Sequence, residues 1–163
     1  MHAEFDLLHD VITDGMRVID VGCGTGRHLL RLGDRLRLGL GVDYEHHYVE
    51  AAHSANVPHV HFLTCDATAI AVASVFDFAM CVTNTWGTMS DRTGVLREMR
   101  RLAPIRGSRL LTVYSEASVP ARREWYRRLG HAVLEETPEY LLKAFAAAGG
   151  RCDHEPPRLK HGR

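Results

Sequence analysis

A glycine-rich loop that directly follows an apolar stretch is the feature that most constrains this chain. Residues 16–21 read Met-Arg-Val-Ile-Asp-Val, the pattern of a short buried strand, and residues 22–26 read Gly-Cys-Gly-Thr-Gly. Glycines allow a sharp turn and let a ligand approach the main chain closely. Taken alone, the loop could be an ordinary glycine turn, so its meaning depends on the elements that come after it along the chain.

Strand and helix patterns alternate after this loop. Further strands are predicted over 38–42, 60–64, 76–83 and 110–114, and the intervening helices over 27–36, over 46–55 and after a cap at Ser90 or Asp91. Continuous apolar runs are typical of parallel strands that are covered on both faces. The alternation predicts an α/β fold with a doubly wound, mostly parallel, Rossmann-like sheet.

The bulk composition favours one domain without a strongly charged partner. The chain has 163 residues, with 20 Lys and Arg against 20 Asp and Glu, so no overall field favours nucleic acid or an anionic membrane. Arginine pairs such as Arg100–Arg101 could bind phosphates or could be solvated helix faces. We expect one domain over residues 1–150, and a poorly ordered or interacting tail over residues 151–163.

The cysteines and the N-terminus indicate an intracellular setting. The cysteines do not occur at paired spacings, which predicts reduced thiols; they are Cys23, Cys65, Cys81 and Cys152. The first residues lack the pattern of a secretory signal, and no apolar run approaches the length of a membrane span. The expected location is the cytoplasm, without membrane contact.

Polar residues end the predicted strands, at the sheet edge where open parallel sheets bind ligands. Asp43 ends the second strand, from which a carboxylate can accept hydrogen bonds from both hydroxyls of an adenosine ribose. Asp66 ends the third strand and could meet an adenine amino group or could begin a short helix. The fourth strand ends in Thr83 and Asn84, whose backbone and amide could face the reacting end of the ligand. These positions predict an adenosine-type site.

Several histidines lie close together in the sequence. His59 and His61 would share a strand face, and His46, His47 and His53 lie just upstream. No carboxylate or thiolate accompanies them at a recognised ligand spacing, so solvated or packed histidines are expected and no metal is predicted.

From residue 16 to about residue 115 the sequence resembles the class I S-adenosylmethionine-dependent methyltransferases. Residues 18–26, Val-Ile-Asp-Val-Gly-Cys-Gly-Thr-Gly, are similar to that family's first motif, and residues 76–81 to its fourth strand. The resemblance implies strand order 3-2-1-4-5 and S-adenosylmethionine as cofactor. It implies that the cofactor is contacted by Asp20, Gly22, Cys23, Gly24, Thr25, Gly26, Asp43, Tyr44, Asp66, Ala67 and Asn84.

Two competing loop types do not match these residues. A nicotinamide-binding fingerprint needs a glycine at position 27, which is Arg27, and a Walker-type phosphate loop needs a Gly-Lys-Ser/Thr sequence that is not found after the loop. The nearest acceptor-side candidates are Thr85, Trp86 and Tyr114, although Trp86 could equally pack in the core. The Asn/Asp-Pro-Pro-aromatic signature of base-methylating enzymes is not present at Asn84, which disfavours a nucleic-acid acceptor.

The end of the sequence departs from the family pattern. Helices are predicted over 121–129 and 138–148, but residues 149–163 offer little for the usual antiparallel strand pair, which looks reduced or missing. The expected function is methyl transfer to a small-molecule acceptor. The alternative is a cofactor-binding module without activity of its own, truncated or completed by a partner chain. An uncovered fifth strand would also favour a homodimer.

Overall fold

The computed structural model describes residues 2–73, 75–104 and 107–113. Its helices are α1 (His2–Val11), α2 (Arg27–Leu32), α3 (His46–His53), α4 (Thr85–Thr88) and α5 (Arg92–Leu102), with a 3-10 helix at Gly33–Arg35. Its strands are β1 (Arg17–Val21), β2 (Leu38–Asp43), β3 (Val60–Thr64), β4 (Phe78–Cys81) and β5 (Ser108–Leu111).

The five strands form one parallel sheet in the order β3-β2-β1-β4-β5. This confirms the predicted α/β class, the Rossmann-like topology and the strand order. The order reverses between β1 and β4, so the two crossovers leave in opposite directions from the centre of the sheet. Ligands of open α/β sheets bind at such a switch point, outside the carboxyl ends of the strands.

Two apolar clusters cover the two faces of the sheet. One joins α1, α2 and α3 to side chains such as Val18 and Phe62, and the other joins α4 and α5 to side chains such as Ile19 and Ala79. Alternate residues of β1 therefore belong to opposite clusters, as the pleat of a strand requires. Burial on both faces explains why β4 is continuously apolar and why residues of both faces of β1, such as Val18 and Ile19, are fully buried.

Several predicted elements have different ends in the structure. The helix predicted over 27–36 ends at Leu32, where the 3-10 helix begins at Gly33. The strand predicted over 76–83 is limited to Phe78–Cys81, because Thr83 and Asn84 adopt left-handed backbone angles and α4 begins at once. At α5, Asp91 is the cap, accepting a 2.8 Å hydrogen bond from the Gly94 amide.

The predictions for the C-terminal part lie outside the described residues. They comprise the end of the fifth strand with Tyr114, the helices over 121–129 and 138–148, the reduced strand pair, and the tail over 151–163.

Candidate functional site

The glycine-rich loop leaves β1 and is fastened to the end of β2. The backbone amides of Gly22 and Cys23 both donate to the Val42 carbonyl, at 2.7 and 3.0 Å, and the Gly24 amide donates to Asp43 Oδ2 at 2.7 Å. The side chain of Asp43 also accepts a 3.0 Å hydrogen bond from the Glu45 amide through Oδ1. The residue predicted to hold a ribose thus also orders the loop.

The loop glycines differ in whether neighbouring side chains pack against them or leave open space beside them. A Cβ at Gly26 would lie 2.5 Å from the Phe62 ring, and one at Gly22 would clash with Thr85 Cγ2. At Gly24, where φ is +54°, no atom lies within 4 Å of the position that a Cβ would take. The loop is therefore packed at its two ends and open in its middle, a cradle into which a ligand can approach the main chain.

A cleft of about 240 Å³ opens beside this loop. It runs from the loop to the end of β4, and its lining is Gly22, Cys23, Gly24, Thr25, Arg27, His28, Tyr48, Val82, Thr83 and Thr85. Six of the residues predicted for the site line it, namely Gly22, Cys23, Gly24, Thr25, Thr83 and Thr85. The sequence prediction did not include Arg27, His28, Tyr48 or Val82. Arg27 and His28 could have been predicted to line the cleft from their place directly after the loop.

Asp20 is a buried carboxylate behind the loop. Its exposed fraction is 1%, and neither carboxylate oxygen has a hydrogen-bond partner within the described residues. The closest ionisable side chain is His28, whose Nδ1 lies 3.8 Å from Oδ2, beyond hydrogen-bond length. Burial, opposed by His28, raises the pKa of the Asp20 carboxyl. Buried polar groups are usually satisfied, so this carboxylate is suited to a polar group that the bound state supplies.

The residues predicted to border an adenosine follow β2 and β3 in the structure. Tyr44 comes directly after Asp43 and is 77% exposed, while Asp66 lies at the end of β3. Asp66 Oδ1 accepts from the amide and the hydroxyl of Thr68, at 2.8 and 2.7 Å, and these hydrogen bonds lower the pKa of Asp66. Ala67 is half-buried and packs against the core. Asp66 therefore stabilises the turn that follows β3.

The acceptor-side candidates separate in the structure. Thr85 lines the cleft, and Asn84 is half-buried at the start of α4. Trp86 has no exposed surface and donates from Nε1 to the Arg92 carbonyl at 2.9 Å. Of the two roles that the sequence allowed for Trp86, the structure shows core packing, so its side chain has no access to an acceptor. Tyr114 lies outside the described residues.

The thiols and histidines of the described residues do not form a second centre. Cys23, Cys65 and Cys81 are free cysteines. Burial is the main cause that raises the pKa of each thiol, and nearby carboxylates raise it further, so all three remain neutral. Across residues 2–73, 75–104 and 107–113, no group of three or more His, Cys, Asp or Glu side chains could hold a metal ion. None of the helices in this part of the chain is long and apolar enough to cross a membrane.

Residues 18–107, more than half of the chain, match a family described as the methyltransferase domain. The chain belongs to this family of class I S-adenosylmethionine-dependent methyltransferases, whose cofactor is S-adenosylmethionine. The family match begins in β1 and ends at the turn before β5, so it covers the loop and the four strand ends around the cleft. No curated protein matches the chain.

Solved structures share the fold. YcgJ from Bacillus subtilis is 24% identical, with a TM-score of 0.75 over 91% of this chain and 68% of its own. The chain described as a methyltransferase in a complex with the Haloferax volcanii activator Trm112 is 23% identical, with a TM-score of 0.74 over 90% of this chain and 66% of its own. CalS10, a Micromonospora echinaspora amino pentose methyltransferase solved with S-adenosylmethionine, is 20% identical, with a TM-score of 0.61 over 71% of this chain and 50% of its own.

Proposed function

We propose that this chain transfers the methyl group of S-adenosylmethionine to a small-molecule acceptor. The observation that carries the proposal is the open space above Gly24, in a loop whose other two glycines are closed by Phe62 and Thr85. Gly15, in an ordinary turn, is equally open, but Gly24 opens onto the cleft, where a bound amino-acid moiety would fill the space. The match to the methyltransferase-domain family supports the same function.

The described residues fit this cofactor in three parts. The cradle at Gly22 and Gly24 and the unpartnered carboxylate of Asp20 would receive the methionine end, where an ammonium group can satisfy a buried carboxylate. Asp43 retains acceptor capacity beyond its two amide hydrogen bonds and would accept from the ribose hydroxyls. Tyr44, Asp66 and Ala67 would border the adenine.

The chain's own part in the reaction is positioning. The cofactor, when bound, supplies a methyl group that the sulfonium makes electrophilic, so the protein must orient the acceptor and exclude water. Thr83 and Thr85 line the cleft at the end of β4, where the acceptor would lie. The balanced charge of the chain favours a small molecule over a nucleic acid.

Two measurements test this function. Calorimetric titration should show binding of S-adenosylhomocysteine and none of NAD, and heat with NAD alone would contradict the site assignment. A screen for S-adenosylhomocysteine release from S-adenosylmethionine, against pooled small-molecule acceptors, should then find turnover that depends on the acceptor. Repeating the assay with the components of an active pool one at a time would identify the acceptor class.

A second candidate function is a cofactor-binding module that is active only with a partner chain. The observation that favours it is the coverage: this chain spans 66% of the methyltransferase chain in the activator complex and 68% of YcgJ. The same pair of measurements separates the two functions. Binding of S-adenosylhomocysteine without turnover of the acceptor pool would favour the module if turnover of the same pool then appeared on adding a cell extract depleted of small molecules, above the turnover of that extract alone.

A further inference from the structure

The turn after β4 has an unusual backbone. Thr83 and Asn84 both adopt left-handed angles, with φ of 61° and 59°. Asparagine tolerates this region, but for a β-branched threonine it is a genuine outlier that the surrounding structure must maintain. Thr83 also lines the cofactor cleft. A strained residue therefore forms part of the wall of the site.

The carboxylate of Glu4, on α1, holds this residue. Glu4 Oε1 accepts from the Thr83 amide at 2.8 Å, and Oε2 accepts from the Thr83 hydroxyl at 2.8 Å. The Thr112 hydroxyl, just beyond β5, donates to Oε1 at 2.5 Å. One side chain thus ties α1 to the ends of β4 and β5, across 79 and 108 positions of sequence.

The residues directly after the glycine-rich loop also contact Thr83 and Glu4. Arg27 Nη2, one residue past the loop, donates to the Thr83 hydroxyl at 2.6 Å and lies 3.8 Å from Glu4 Oε2. His28 Nε2 lies 3.7 Å from Glu4 Oε2, and the other ring nitrogen faces Asp20. Burial acts against ionisation of Glu4, but the hydrogen bonds from Thr112 and Thr83 outweigh it and lower its pKa. Glu4 is therefore an anion at neutral pH.

We propose that Glu4 is a positioning residue for cofactor binding, which fixes the Thr83–Asn84 turn against the glycine-rich loop and so sets the shape of the cleft. The proposal rests on the proposed function, because it assigns the cleft to S-adenosylmethionine. It goes beyond that function in making α1, which contributes no residue to the lining of the cleft, a determinant of its geometry. Glu4 acts through Thr83 and does not itself line the cleft.

The test compares variants that remove the hydrogen bonds of Glu4 to Thr83 and Thr112 with variants that disturb α1 alone. Glu4→Ala removes both acceptor oxygens, Glu4→Gln keeps one, and Thr112→Val removes the third partner with little change of shape. Asp6→Asn is the charge control, because Asp6 is exposed on the same helix, and Leu8→Val is the packing control, because Leu8 is fully buried there. Each full-length variant is measured for S-adenosylhomocysteine affinity, thermal unfolding and amide exchange at Thr83 and Asn84.

We expect Glu4→Ala to weaken S-adenosylhomocysteine binding by about 10-fold or more, because the Thr83 hydroxyl loses its acceptor and the Thr83 amide keeps only Thr112 Oγ1, to which it also donates at 2.8 Å. Glu4→Gln should recover part of the affinity, and Thr112→Val should cost about 3-fold. Amide exchange at Thr83 should quicken in Glu4→Ala. Asp6→Asn should bind within about 2-fold of the unchanged chain, since surface charges contribute little.

The outcomes distinguish this proposal from the function on which it rests. Failure of the unchanged chain to bind S-adenosylhomocysteine would overturn both. Normal binding by the unchanged chain and by Glu4→Ala would overturn the positioning role alone. So would an equal loss of affinity in Leu8→Val and Glu4→Ala, because general loosening of α1 would then account for the effect.

Discussion

At the scale of single residues, the glycines of the loop after β1 combine two demands. Gly24 and Gly26 both have positive φ angles, of +54° and +75°, which side chains resist. Only Gly26 also has a neighbour in the way, the Phe62 ring. Gly24 faces open space, so a methyl group there would strain the backbone and occupy the cradle without clashing with the protein.

These two glycines give a matched pair of variants. Gly24→Ala should lower stability by only about 1–2 kcal/mol, the cost of a left-handed alanine, and should abolish S-adenosylhomocysteine binding. Gly26→Ala adds a clash and should lose about 2–4 kcal/mol. Thermal unfolding and calorimetry on both variants check this. Intact binding by a folded Gly24→Ala chain would show that the cradle does not hold the cofactor.

Asp43 has both a ligand role and a loop role in our assignment. Asp43→Ala should weaken S-adenosylhomocysteine binding by about 1.5–3 kcal/mol, roughly 10–150-fold in Kd, because the ribose hydroxyls and the Gly24 amide lose their acceptor. The fold should survive, since Val42 still holds the loop. The exposed Asp34→Ala is the control. Unchanged affinity with a lower Tm would make Asp43 purely structural.

The residues that the sequence could predict are those whose signals are local. The loop glycines come directly after a strand, and Asp43 ends the next strand, so both could be placed at one edge of the sheet. Glu4 could not be placed, because its partner Thr83 lies 79 positions away and neither residue belongs to a motif. Trp86 was ambiguous because an aromatic side chain suits a core and a rim equally, and its burial was decided by α5 packing.

At the scale of elements, the strand order could be predicted and several strand ends could not. Apolar content marks residues 76–83 as one run, but the ladder of β4 stops at Cys81 because the left-handed turn at Thr83 turns the chain into α4. At this turn the amide and the hydroxyl of Thr83 donate long-range hydrogen bonds to Glu4, which periodicity does not report. Local patterns therefore predicted which elements form, and tertiary contacts decided where they end.

An ion pair fastens the starts of the two central strands. Arg17, at the start of β1, donates its amide to Asp77 Oδ2 at 2.8 Å and its guanidinium to both carboxylate oxygens, at 3.2 and 3.0 Å. Asp77 directly precedes β4. The hydrogen bond with Arg17 is the main cause of a lowered pKa at Asp77. This contact sets the register of β1 against β4 at the end of the sheet away from the cleft.

Asp77→Asn should therefore reduce stability without affecting the site. The expected loss is about 1 kcal/mol at neutral pH, or about 2–4 °C in Tm, since the pair is partly solvated. A lowered folded pKa stabilises the chain above the ordinary value of 3.8, and this stabilisation is lost as the pH falls below it. The difference between the two chains should thus shrink below about pH 3.8. Chemical unfolding at several pH values measures it, and weakened S-adenosylhomocysteine binding would contradict the separation from the site.

At the scale of the whole molecule, the two edges of the described sheet differ in character. β3 forms one edge and exposes His61 and Thr64, whereas β5 forms the other and continues to Val113, which is 38% exposed. Within the described residues, β5 pairs with β4 alone. Unpaired backbone groups at a sheet edge favour pairing with another chain. Each edge exposes an apolar side chain, Leu63 on β3 at 37% and Val113 after β5 at 38%. We favour the β5 edge for contact between copies because β5 also carries the half-buried Leu110 and Leu111.

We therefore expect two copies of the chain to associate through β5, and Val113→Lys to prevent this by placing a charge at that edge. Light scattering at several concentrations should give a dimer mass for the unchanged chain and a monomer mass for the variant. His61→Lys, at the opposite edge, should leave the dimer intact. A monomer that Val113→Lys does not alter would instead mean that another part of the chain covers β5. Because β5 lies beside the Thr112 partner of Glu4, an edge that pairs should also slow amide exchange at Thr83.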